Sequence, residues 1–183
     1  MFLDIIVISF VVALIRGGRL KETPTFHALP FIFASIALQI TSGFIPAWGG
    51  VLVSISYMLS IIFFYYNRNY EDMRFFIIGW GMNALAIWSN GGKMPIDLSQ
   101  AKKLGISLDP LINGTDFKHN VLDSSTNLAF FTDIIYMPFP MARVISMGDI
   151  FIMIGAFLLI QRIMNKPLIL KHIREGKNYA PKS

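Results

Sequence analysis

The sequence contains no cysteine, which excludes disulfides, thiolate nucleophiles and cysteine-ligated metals. Charge is scarce: Asp, Glu, Lys and Arg make up 15% of the 183 residues, against about 25% in soluble domains. There are three histidines, His27, His119 and His172, scattered along the chain, so neither a shared metal site nor a bound cofactor is expected. No glycine-rich loop is followed by lysine and serine or threonine, which excludes that phosphate-cradling class. No nucleophile–histidine pair stands out. What is abundant is apolar, with 54% hydrophobic residues and a mean hydropathy of +0.56.

The apolar residues form five runs, 2–15, 27–45, 51–66, 75–89 and 147–164. A helix rises about 1.5 Å per residue, so roughly 20 apolar residues cross a bilayer core of about 30 Å. Runs two and five are expected to span comfortably. Runs one, three and four are short and need snorkelling flanks or local thinning.

Threading five helices alternately sorts the charges. One side receives 11 basic residues, among them Arg16, Arg19, Arg68, Arg74, Arg162 and Lys166; the other receives Lys93, Lys102, Lys103, Lys118 and Arg143. The acids lean the opposite way, leaving +7 on the first side and −2 on the second. The positive-inside rule places the first side in the cytoplasm. The expectation is an all-α integral membrane protein, multi-pass in the plasma membrane, with five transmembrane helices. Its N-terminus is outside and its C-terminus inside, and residues 1–183 form a single membrane domain. One structured outer loop covers about 90–145 and a basic cytoplasmic tail 165–183. The basic balance then describes anchoring beside anionic lipid, and no nucleic-acid partner is expected.

The first run lacks the positive start of a signal peptide, because Met1-Phe2-Leu3-Asp4 carries an acid and the arginines follow the run. It is read as a retained helix closed by Arg16-Gly17-Gly18-Arg19, with glycine as the left-handed terminator. In run four, Gly79, Asn83, Ala86 and Asn90 share one helical face, a packing seam that can also line a site. In the loop, Asp97-Leu98-Ser99-Gln100 has capping-box spacing and predicts a short helix from about residue 98 to 104. Residues 128–137 read as a strand or a re-entrant piece.

Asp133 and Asp149 are the candidate catalytic residues. Both fall on the outer side beside apolar sequence, joined by a short proline-marked segment. Two carboxylates held together cannot both ionise cheaply, so they share a proton and split acid and base roles. That chemistry needs no metal, cysteine or serine, and it describes an aspartyl-type hydrolase or peptidase acting at the outer membrane boundary. Asn83 and Asn90 are expected nearby as supporting amides. A structural reading stands beside this one, since Ser146-Met147-Gly148-Asp149 is itself a capping box before an apolar helix. Asp4 adds a third outer acid that could complete a cation site. The rival function is therefore a non-catalytic subunit of a membrane complex or a small-solute or cation carrier. The lipid bilayer is the expected partner, with a membrane-embedded substrate or a partner protein beside it.

Two resemblances bear on these readings. The segments Arg16-Gly17-Gly18-Arg19, Asn90-Gly91-Gly92-x-Met94-Pro95, Asp133-Ile134-Ile135-x-Met137-Pro138 and Ser146-x-Gly148-Asp149 resemble a bacterial family of multi-pass membrane proteins with no assigned function. That implies a plasma-membrane protein and supplies no activity. Thr132-Asp133-Ile134-Ile135 followed by Val144-Ile145-Ser146-Met147-Gly148-Asp149 is similar to the end of lipoprotein signal peptidase (signal peptidase II). This second resemblance implies that Asp133 and Asp149 take the two catalytic places.

Overall fold

Each apolar run forms a helix in the computed structural model, which describes residues 3–20 and 25–168. The first four are α1 (Leu3–Ile15), α2 (Leu29–Ser42), α3 (Gly49–Tyr66) and α4 (Glu71–Ser89). The loop holds β1 (Met94–Ile96), α5 (Leu98–Ala101), α6 (Asp109–Ile112), β2 (His119–Val121), β3 (Ile135–Met137) and β4 (Arg143–Ile145). The chain then enters α7 (Met147–Ile163). The expected tail falls almost wholly outside the described residues, as do Lys21 and Glu22.

The helix ends follow from local chemistry. Pro30 stands in the first turn of α2, where its missing N–H costs nothing, and Ala28 before it is left-handed with φ 58°. Runs two and five therefore yield helices of only 14 and 17 residues. Among the described residues, α3, with 18 residues, is the one helix long and apolar enough to cross a membrane. Gly17 has φ 74° and closes α1 as expected. The next residue, Gly18, donates its N–H to Ala13 O at 2.8 Å.

Packing orders the helices α2–α3–α4–α7–α1. The start of α2 meets the end of α3, where His27 and Asn67 exchange two 2.9 Å bonds. Deeper in this pair, Ser35 donates to Ser56 O at 2.8 Å and lies 2.6 Å from the Ser60 hydroxyl. Phe64 stacks on Phe76 and Tyr57 meets Trp80 edge-on, so α3 and α4 are antiparallel. Asp72 at the start of α4 pairs with Arg162 near the end of α7 at 2.8 Å, while Gly79 abuts Gly148 at the other end. α1 runs parallel to α7: Asp4 meets Arg143 at one end, and Arg16 donates to Gln161 Oε1 at 2.6 Å at the other. The loop, Asp4 and Asp149 thus share one end of the bundle. Arg16, Arg68, Arg74, Arg162 and Lys166 share the opposite end.

The loop departs from the all-helical expectation. β1 pairs with β2 in parallel, β3 pairs with β4 antiparallel, and Ile96 bridges to Asp133. Each strand is three residues long, too short for alternation to register in the sequence, yet each satisfies backbone groups laid over the bundle end. Asp97 caps α5, accepting from Ser99 N at 2.6 Å, and the turn continues as 3-10 helix to Leu104. Residues 128–137 resolve into a 3-10 turn, Ala129–Phe131, followed by β3.

Candidate functional site

The loop end of the α4–α7 seam carries a closed ring of polar contacts. Ser146 caps α7: its hydroxyl accepts from Asp149 N at 3.0 Å, and its own N–H donates to Asp149 Oδ2 at 3.2 Å. The same hydroxyl donates to Asn83 Oδ1 at 2.8 Å, and Asn83 Nδ2 donates to Asp149 Oδ1 at 2.9 Å. Asn83, Ser146 and Asp149 are all buried. Gly79 and Gly148 make this approach possible, because a β-carbon on either would collide with the facing helix, and at Gly148 with the Asn83 amide itself. The buried phenol of Tyr57, from α3, meets the Asn83 amide and senses the charge of both Asp149 and Asp133.

Asp133 reaches the same region from the loop. Its N–H donates to Pro95 O at 3.0 Å and its carbonyl accepts from Asp97 N at 3.0 Å, so β1 fixes its position. The residue is 7% exposed, and its Oδ1 is buried with no hydrogen-bond partner. Its Oδ2 lies 3.8 Å from His119 Nε2. Burial, and then the charge of Asp149, push the Asp133 carboxyl up to about 7, with His119 pulling the other way.

His119 stands between two acids, its Nδ1 3.5 Å from Asp116 Oδ1. Contact with the His119 side chain, then the backbone N–H groups of His119 and Lys118, hold Asp116 well below the usual carboxylate range against its partial burial. Asp116, His119, Asp133 and Arg143 line one cavity of about 320 Å³, whose walls are otherwise largely apolar, with Ile96, Leu104, Leu111 and Val144 among them. Asp149 is not part of its lining.

The expected residues therefore divide. Asn83 and Asp149 are hydrogen-bonded, and the charge of Asp149 reaches Asp133. Asn90 does not join them: its amide donates to Ala86 O at 2.7 Å and Asn127 O at 2.8 Å and accepts from Asn127 N at 2.8 Å, which clamps the loop to α4. Asp4 pairs with Arg143, whose positive charge also acts on Asp149. Asp4, which could complete a cation site with Asp133 and Asp149, thus already holds the Arg143 guanidinium. Among the described residues no three His, Asp or Glu side chains are placed to hold a metal ion. Sequence reasoning missed His119, Asp116, Arg143 and Tyr57. The Asp116-x-x-His119 spacing was visible, but nothing local says that β2 lies beside β1 and Asp133.

A family described as a family of unknown function (DUF5317) matches residues 20–161. An uncharacterised protein of Thermotoga maritima is 29% identical over 167 residues, covering 86% of this chain and 89% of that protein. No solved structure matches the chain.

Proposed function

Because the chain belongs to that family of unknown function, its activity has to be read from its own residues, and we propose a multi-pass membrane hydrolase of the aspartyl type. The membrane part is supported by the distribution of polarity. Large apolar side chains on α1–α3, such as Leu3, Leu14, Phe33, Ile40 and Met58, are exposed, while Ser9, Ser35, Ser42, Ser56 and Ser60 are buried. Small polar residues at helix contacts and apolar residues outside suit helices whose solvent is lipid. The gathering of arginines at the end opposite the acidic loop suits a cytoplasmic end there.

The observation that carries the reading is Asp133, a buried carboxyl on the cavity lining with one oxygen unpartnered, which feels the charge of an Asp149 fixed at both oxygens. Asp133 holds the shared proton near neutral pH and donates it to a carbonyl oxygen. Asp149 takes a proton from the attacking water. The site would act on membrane-embedded peptides at the outer boundary. Proteoliposomes offered quenched fluorogenic peptides with a lipid anchor test this. Asp133→Asn and Asp149→Asn should each abolish cleavage while the protein stays folded in the bilayer; activity retained in both would end the reading.

A second reading is favoured by the lining of the cavity, which reaches Asp133 but not Asp149. On that reading the Asn83–Ser146–Asp149 ring is a structural clamp, and the protein is a non-catalytic subunit or carrier. Co-purification from native membranes would separate the first of these from the second, which flux into liposomes would reveal.

A further inference from the structure

We propose that the loop cavity binds a small organic cation, a primary amine on an apolar stem, and that Asp133 gives up its proton as the amine enters. This goes beyond the hydrolase reading and does not rest on it. The first observation is Asp133 Oδ1, a buried acceptor with no partner on a side chain that lines the cavity. An unpaired buried acceptor is costly, and an ammonium group supplies both the missing donor and the opposite charge.

The second observation is the surrounding charge. Asp116 and Asp133 line the cavity with His119 and Arg143; Asp149 acts on Asp133 from α7 and Asp4 holds Arg143 from α1. Lys93 is turned to backbone, donating to Gly114 O at 3.3 Å and Asp116 O at 2.5 Å. With Asp133 still holding its proton, the charges of Asp4, Asp116 and Asp149 outnumber those of Arg143 and Lys93, and the arginine is already paired with Asp4. The surplus is negative, so an anion is disfavoured and a cation favoured. A divalent metal is a poorer fit, because it needs several convergent oxygen ligands and the walls are mostly apolar.

The third observation is size and exit. About 320 Å³ sits at the small end of ligand cavities, roughly 300–1,000 Å³. His119, half-buried and 3.8 Å from Asp133, gives the displaced proton a route to solvent. The exchange balances: the neutral acid and R–NH₃⁺ become a carboxylate–ammonium pair plus one released H⁺. An amine bound in this way holds Asp133 ionised and so stops it acting as an acid.

Titration calorimetry of the protein in nanodiscs with n-hexylammonium, referenced to empty nanodiscs, reads this directly. Near pH 6, repeated in two buffers of different ionisation enthalpy, binding should release close to one proton. Hexanol and hexanoate should bind at least tenfold more weakly. Asp133→Asn should lose the proton release and weaken binding tenfold or more. Leu104→Trp, which narrows the cavity without touching a charge, should lose binding while Asp133 still titrates. Amine binding is read by calorimetry without any peptide and hydrolysis by peptide cleavage, so the two proposals fail separately. Equal binding of hexanol, unchanged binding in Asp133→Asn, or no binding at all would overturn the assignment.

Discussion

Asp133 keeps its proton to about pH 7, whereas an aspartate in an unfolded chain loses it near 3.9. Between those limits the folded chain binds more protons than the unfolded one, so stability falls as pH rises from about 4 to 7. Asp133→Asn removes that contribution and should stabilise the detergent-solubilised protein above pH 7 by roughly 2–4 kcal/mol, read as an unfolding midpoint that falls less steeply from pH 4 to 7. If Asp133 is the general acid, cleavage should fall as pH rises through about 7, with the loss on the alkaline side. Ser146→Ala should cost about 1 kcal/mol of cap, and more through the Asn83 amide left without its donor. Ser146→Thr should recover most of that loss. At this scale the sequence was legible where partners are neighbours. Ser146 and Asp149 declare their capping box in four letters, whereas the meeting of His119 with Asp133 depends on strands too short to announce themselves.

Between elements, the decisive contact is the glycine seam of α4 and α7. A β-carbon at Gly79 meets Gly148 O and Ile152, while one at Gly81, two residues along, meets nothing within 4 Å. Gly79→Ala should destabilise by about 1–3 kcal/mol through overpacking and pull Asn83 out of reach of Asp149. Gly81→Ala should be close to neutral, and thermal unfolding of the two variants side by side checks the contrast. The helical face of Gly79, Asn83 and Ala86 was readable from its spacing, and all three residues are buried. Asn90 shares that spacing but stands at the helix end, where φ −119° and ψ 39° leave the helical geometry, so periodicity misassigns it. The length of α2 was hidden for a similar reason, since hydropathy runs straight through Ala28 while the backbone turns left-handed there.

For the whole molecule, the membrane orientation makes the sharpest demand. Single cysteines are easily read in a chain that has none; in intact cells, Lys118→Cys should label from outside and Arg68→Cys only after permeabilisation. Labelling of position 118 from the cytoplasm alone would reverse the orientation. At the arginine-rich end, Asp72 is 3% exposed and Arg162 lies over the Tyr70 ring at 4.0 Å. Asp72→Asn should cost about 1–3 kcal/mol by leaving a partly buried guanidinium without its charge partner, and the double change Asp72→Asn, Arg162→Met should recover much of it.

The parallel docking of α1 on α7 has a temporal side. α1 leaves the ribosome well before α7, on which it finds its main packing surface, with Asp4 waiting for Arg143 and Ser9 O for the Gln161 amide. Until α7 is made, the growing chain therefore holds α1 in reserve, with an acid that has no counterpart. Chaperones and quality-control proteases that survey nascent membrane proteins would meet that unfinished form, and a chain stopped before residue 143 would present it permanently.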